Sequence, residues 1–513
     1  MLHSARVPGL VASVLFAVTT LFSTAAIQAA DFRATAPRAT VIEVPADFPT
    51  IQAAIAAASP GDTVRVAPGV YAEAIDFLGK AITVESLAGP QTTMIDGELE
   101  PGRYVVTISG VESIARLRGF TVTGGFAAGT GNNFTGPGGG LLINESTAEL
   151  DNLVVTGNQG VIGGGLLIDD SAVTITEVEF SDNFALFGGA IRVEGGNLDI
   201  SGSSFSANQA QTDGGAMSVF WANQIDITDT VFEGNAAHGI GAALAIFNTV
   251  LTGTDLRFFN NGEATPSGHP PGTGVNYAPL VAGAIYTSNV AGHLDRVRMQ
   301  GNAAFRGAAY YAAGNSNLVL SNALIEGNQA GTGVVFINGS SPVLINTTLV
   351  DNDGFGIFTT FGAQPLLANS IVSGHSSIAA QEIGGNGQVN VEFSLINGSF
   401  NSVVPGEGLI LDEPPMLDPA ADFAPLPGSP VIDAGNNLLL PESVELDLLG
   451  NPRFVDDPDA PDTGVGSGAI VDMGAVERQI DNTPPEQPGL GHSARPAPRP
   501  GKGPHSDDDE GNP

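Results

Sequence analysis

Between residues 150 and 360 the chain alternates apolar and polar positions in runs too short for helices. In "AVTITEVEF" (172–180), Val173, Ile175, Val178 and Phe180 can point one way while Thr174, Thr176 and Glu179 point the other; "NLDISGSSF" (197–205) and "NQIDITDTVF" (223–232) read the same way. Alternation with period two is the pattern of strands that bury one face. Asn-Gly, Asp-Asn and Gly-Gly groups punctuate the runs as turns.

The runs recur at a fixed spacing. "FSDNFALFGGAI" (180–191) returns as "FSANQAQTDGGAM", "FEGNAAHGIGAAL" and "MQGNAAFRGAAY". Its asparagine falls at Asn158, Asn183, Asn208, Asn235, Asn261, Asn302, Asn328 and Asn352, so successive intervals are 25, 25, 27, 26, 41, 26 and 24 residues. An internal repeat of this length, made of strands and turns, predicts an all-β parallel β-helix with one coil per repeat of about 25 residues. Within each coil the Phe is an inward residue that stacks on its equivalents. The Asn occupies a corner and bonds along the stack, and the small-residue pair lets the next corner pass without bulk. These marks are scaffold residues.

Coil stacks expose apolar ends, which require caps. In "DFPTIQAAIAAASPGDTVRVAPGVYAEAI" (47–75), Thr50 is placed to cap a short helix whose Ile51 and Ile55 cover the first coil, and Pro60-Gly61 ends it. This stretch resembles the start of pectin-lyase-like β-helix proteins. The F-x-x-N and G-G-A phrases across roughly 120–360 resemble the repeats of bacterial polymorphic outer-membrane proteins, which implies a right-handed β-helix displayed at the cell surface. "SPVIDAGNN" (429–437), "DLLGNPRF" (447–454) and "VDMGAVE" (471–477) resemble the choice-of-anchor Q module, which implies a surface-attached or secreted protein. The expected organisation is a signal peptide (1–30), cap and first coil (31–80), β-helix repeats (81–410), the C-terminal module (411–480) and a Pro/Gly-rich disordered tail (481–513).

Composition narrows the partners. The 513 residues contain no cysteine, 54 acidic residues against 18 Lys plus Arg, and a formal net charge of −36. Such a surface excludes nucleic acid as a partner and disfavours acidic polysaccharides unless a divalent cation bridges the two. His3 and Arg6 precede the apolar run "LVASVLFAVTTLF" (10–22) and the small-residue stretch "STAAIQAA" (23–30), the layout of a secretory signal. The mature chain is therefore expected outside the cell or on a bacterial surface, with no membrane span of its own.

Two corners carry extra residues, "GFAAGTGNNFTGPGG" (125–139) and "GEATPSGHPPGTGVNYAP" (262–279), and are candidates to wall a groove. Between them, Leu166, Ile168, Ile191, Val193, Met217, Val219, Leu244 and Ile246 read as inward. The outward column reads Asp169, Glu194, Phe220 and Phe247, with Arg192 two residues before Glu194. Asp169 and Glu194 on adjacent rungs are a candidate carboxylate pair for glycoside chemistry, which wants about 5–5.5 Å between the two groups in retaining enzymes. The alternative is an ion pair with Arg192. Phe220, Trp221 and Phe247 offer aromatic surface for a sugar. The catalytic patterns of polygalacturonases are missing apart from an echo in Asp169-Asp170, and no pectate-lyase-like set of calcium ligands with a basic proton acceptor can be assigned. In "VDDPDAPDTG" (455–464), Asp456, Asp457, Asp459 and Asp462 are hard oxygen donors of the kind calcium selects, without the spacing of an EF-hand. No cofactor is required by this reading; calcium is the one candidate. The function expected is extracellular binding or display of glycans or matrix, with a polysaccharide hydrolase or lyase as the alternative.

Overall fold

The computed structural model describes residues 39–98, 100–127, 129–130, 133–134, 138–263, 280–376 and 381–480. The signal-like segment, the C-terminal tail, most of the 262–279 insertion with His269, and part of the 125–139 insertion lie outside the described residues. The described residues from Thr40 to Ile480 form one compact unit. They make up an all-β parallel β-solenoid of about 13 turns with almost no helix.

Each coil contributes strands to three faces, and each face is a parallel ladder, with register shifts at Gln329/Gly333 and Gln381/Ile383. The first face stacks Val41–Val44 on Thr63–Val66, then Thr83–Ser86, Ile114–Arg118 and Thr147–Asp151, and continues to Val403–Pro405. The second begins with Gly69–Ala72 on Thr93–Asp96 and includes Glu179–Ser181 on Ser204–Ser206. The third runs from Ile75–Asp76 through Tyr104–Ser109, Gly139–Asn144, Leu166–Asp169, Ile191–Glu194 and Met217–Phe220. In mid-solenoid two sixteen-residue strands, Leu244–Phe259 and Ile285–Gln300, run through all three faces by way of left-handed corners at Asn248, Asp255, Asn289 and Arg296.

The repeat marks take the places expected of them. Phe180, Phe205, Phe232 and Phe258 are fully buried and stack at 5.0, 4.8 and 4.9 Å between ring centroids. Asn183 Nδ2 donates to Asn208 Oδ1 at 3.0 Å, Asn208 Nδ2 to Asn235 Oδ1 at 3.0 Å, and Asn235 Nδ2 to Asn261 Oδ1 at 3.0 Å. The same bond links every mark from Asn158 to Asn352. Each Oδ1 also accepts the backbone N–H of the preceding mark, so one side chain closes the turn and joins two coils. At the end of the row His375 replaces the asparagine: its Nε2 accepts from Asn352 Nδ2 at 3.2 Å, and its Nδ1 bonds the buried Glu382.

The cap helix, Ile51–Ala57, is held at both ends by neighbouring coils. Thr50 Oγ1 accepts from Ala53 N at 3.1 Å, and the Glu73 carboxylate takes the free Ile51 and Gln52 N–H groups at 2.8 and 2.9 Å. Lys80 Nζ donates to the carbonyls of Ile55, Ala56 and Ala58, each at 2.8 Å. Acid at the N-terminus and base at the C-terminus satisfy the orphan groups that a seven-residue helix would otherwise leave exposed.

After a last second-face strand, Ile410–Leu411 on Leu395–Asn397, the chain turns back along the solenoid instead of completing a further coil. Residues 411–480 contain two 3-10 turns, Pro419–Ala421 and Asn437–Leu439, and a two-stranded antiparallel pair. They cover the outer side of the second face, where Leu324, Ile371 and Leu395 pack against Phe423, Val431, Met473 and Ala475.

Candidate functional site

The third face brings the proposed column together rung by rung. Asp169 pairs with Glu194, Glu194 with Phe220, and Phe220 with Phe247. The eight residues read as inward, from Leu166 to Ile246, are all fully buried, so the register is the one read from the alternation.

The charged end of this column is an ion pair stacked on a ring. Arg192 donates to Glu194 Oε1 from Nε at 3.1 Å and from Nη2 at 2.9 Å, and to Ser218 Oγ from Nη1 at 3.0 Å. Its guanidinium lies 4.2 Å from the Phe220 centroid, and its side chain is 10% exposed. Glu194 is thus committed to Arg192, leaving Asp169 as the freer carboxylate of the pair. Burial, reinforced by Asp170, Glu194 and Glu145, holds the Asp169 carboxyl above the usual range. Asp213 is also held up by burial, against the pull of Arg192.

Phe220 does not present a flat face to a ligand. Arg192 covers one side of the ring, and Phe247 stacks on the other at 4.2 Å. The stack continues from Phe247 to Tyr286, Tyr311, Phe336 and Phe358, with centroid separations of 5.3, 5.4, 4.9 and 5.5 Å. Tyr311 and Phe336 are nearly buried among these rings and Ala282, so much of this column is an outer minor core. The sequence carries its signal in "IYTS", "YYAA", "VFIN" and "IFTT", where outward places that elsewhere are polar hold rings.

Exposed aromatic surface appears one residue further on, at the corner that follows the third face. Across successive rungs this corner is Trp221, Asn248, Asn289, Gly314, Gly339 and Phe361, as the strand register fixes. All six have positive φ, between 52° and 62°. Gly and Asn are the residues expected in such left-handed positions; a Trp and a Phe there are held at a cost. Trp221 is 69% exposed and Phe361 is 83% exposed. Five rungs at about 4.8 Å separate them by roughly 24 Å. Phe361 also lines a cleft of about 360 Å³ with Arg306, Tyr311, Thr332, Asn338 and Thr360.

The acidic loop departs from the expected ligand set. Asp457 Oδ2 takes Arg478 Nε at 2.8 Å and its Oδ1 takes Asp459 N at 3.0 Å, so Asp457 is satisfied within the protein, and Asp459 is not among the carboxylates that converge. Asp456 and Asp462 instead face Asp433, a residue of "SPVIDAGNN" some twenty positions earlier. Spacing within the loop could not show this partner, because it comes from another segment.

No family model matches this chain, and no curated protein matches it. Solved structures similar to it include pectate lyase Pel9A, 12% identical with a TM-score of 0.37, over 86% of this chain and 96% of that one. The A-module of the mannuronan C-5 epimerase AlgE4 of Azotobacter vinelandii is 14% identical with a TM-score of 0.30, over 71% and 92% of the two chains. The receptor binding domain of the Siphovirus 9NA tailspike is 9% identical with a TM-score of 0.23, over 73% and 74%. At these identities the likeness is one of fold, and the chemistry rests on this chain's own residues.

Proposed function

We propose that the protein is an exported binding solenoid that holds an extended, uncharged glycan along the corner between Trp221 and Phe361. The observation that carries this reading is the pair itself: two bulky aromatic residues, both strongly exposed and both in left-handed conformations that favour glycine or asparagine, at one corner column with only Asn and Gly between them. Their rings offer faces for pyranose C–H surfaces, and Asn248 and Asn289 offer amides to hydroxyl groups along the track. A length of roughly 24 Å accommodates several sugar units. The net charge of −36 favours neutral chains over uronates.

Binding is favoured over turnover because Glu194, half of the candidate carboxylate pair, is held by Arg192. The test is a glycan array followed by titration calorimetry with the neutral polysaccharides retained. Trp221→Ala and Phe361→Ala should each weaken binding about 2- to 10-fold, the range expected for one aromatic contact. New reducing ends or unsaturated products from any polysaccharide, abolished by Asp169→Asn, would replace this reading with the enzymatic one.

A further inference from the structure

We propose that Asp433, Asp456 and Asp462 form a calcium site that fastens the acidic loop of residues 455–464 to the C-terminal module. One carboxylate oxygen from each lies within 4.8 Å of the other two. Oxygens coordinated at 2.3–2.6 Å around a single ion fall within such a spread.

The three carboxylates differ in a way that points to a ligand. Asp456 and Asp462 are exposed, as acidic loop residues commonly are. Asp433 is fully buried: its Oδ2 accepts from Asp457 N at 3.2 Å, but its Oδ1 is buried without any hydrogen-bond partner. A buried carboxylate oxygen with no donor is costly, and here two more carboxylates close on the same residue. The nearby guanidinium of Arg478 is spent on Asp457. A cation between the three carboxylates supplies the missing partner.

The backbone already shapes the loop around Asp433. Thr463 N and Gly464 N both donate to the Asp433 carbonyl at 3.0 Å, while Asp457 N reaches its side chain from the other end of the loop. Three hard oxygen ligands, two of them open to solvent so that waters complete the shell, suit calcium; with no His or Cys among them they offer little to transition metals. Asp433 follows Val431 and precedes Ala434, which pack on the second face, so the ion would also brace the module against the solenoid.

The test uses the full chain stripped with EDTA, titrated with calcium chloride by calorimetry and followed by melting. One calcium per chain and a melting temperature raised by several degrees are expected. Both responses should be lost in Asp456→Asn/Asp462→Asn, whose metal-free melting temperature should equal or slightly exceed that of wild type because two exposed like charges facing Asp433 are removed. Asp433→Asn should also lose the response while raising the metal-free melting temperature, because it removes an unneutralised buried charge. Calcium should further protect residues 455–464 from proteolysis. An unchanged calcium response in Asp456→Asn/Asp462→Asn overturns the site, as does no binding at millimolar calcium; an equal response to magnesium overturns the choice of ion.

Discussion

Two asparagine ladders run along this solenoid at different corners, and only one of them closes on itself. From Asn158 to Asn328 each amide is consumed within the β-helix by the next asparagine and by a backbone carbonyl such as Phe180 O or Phe205 O, and Asn352 ends the row on His375. The second ladder, Asn322, Asn346 and Asn369, sits between the first and second faces with φ of 48° to 49°, and it is equally buried. Its amides turn outward: Asn322 Nδ2 donates to Leu446 O at 2.9 Å, Asn346 Nδ2 to Asp472 O at 3.1 Å, and Asn369 Nδ2 to Asn436 O at 3.0 Å. Asparagine is a stacking element just after a left-handed residue such as Asp182 or Ala207, where the next coil supplies the acceptor, and a docking element when it holds the left-handed position itself and another segment supplies it.

The largest break in this contrast is expected at Arg453. It is fully buried in the module, donates to Asn322 Oδ1 at 2.5 and 3.2 Å, and pairs with the buried Glu477 at 3.2 Å. Burial drives the Glu477 carboxyl well up, and Arg453 opposes that shift. Arg453→Met leaves Glu477 and Asn322 without their partner and should cost about 3–5 kcal/mol. In a melting experiment the module should detach in an early transition while the solenoid's main transition stays in place. A single, uniformly shifted transition would mean that module and solenoid unfold as one.

Asn208→Ala attacks the inner ladder instead. It removes the acceptor of Asn183 N and Nδ2 and the donor to Phe180 O and Asn235 Oδ1. The loss should be about 1–3 kcal/mol, seen as a lower solenoid midpoint with glycan binding intact at low temperature. Unchanged melting with lost binding would overturn the structural role of these marks.

The inner ladder was legible because its spacing repeats through eight coils, and a periodic signal survives local variation. The second ladder was not, because only three of its members are asparagine and its partners lie more than sixty residues away. A signal was nonetheless present. In "NALIEG", "TTLVD" and "NSIVSG" the outward places of the second face hold Leu324, Thr348 and Ile371, and strict alternation gives way to runs that are buried on both sides, the pattern of a covered sheet. The third-face column was read in correct register, yet register alone could not show that Arg192 and Phe247 would enclose Phe220. Of the two exposed corner rings, Trp221 was among the sequence candidates and Phe361 was not, because at a corner backbone conformation, not alternation, selects the residue.

Asn346→Ala tests the docking ladder more gently than Arg453→Met. Asp472 O and Gly474 O lose a donor at 3.1 and 3.4 Å, and within the solenoid only the long 3.5 Å bond from Asn369 Nδ2 to Asn346 Oδ1 goes, while Asn369 keeps Asn436 O as acceptor. A cost of about 1 kcal/mol is expected. Faster proteolysis within residues 411–480 and an unaltered solenoid midpoint would mark it as a docking residue. A lowered solenoid midpoint would place it with the inner ladder.

The smallest effect separates burial from geometry. Asn289 Nδ2 donates to Asn248 Oδ1 at 3.0 Å, the same bond at the same length as between Asn183 and Asn208, but at an exposed corner. Water can replace this bond when it is lost, whereas it cannot reach the inner row. Asn289 also has φ of 56°, so Asn289→Gly removes the amide while keeping the left-handed corner unstrained. Its stability should stay within about 0.5 kcal/mol of wild type, as for most surface changes. The midpoint of melting reads that directly, and a loss as large as that of Asn208→Ala would show that amide stacking itself, and not its seclusion from water, holds the coils together. Because Asn289 lies between Trp221 and Phe361, titration with a bound glycan reads the other half: weaker binding at unchanged stability is what a track residue should show.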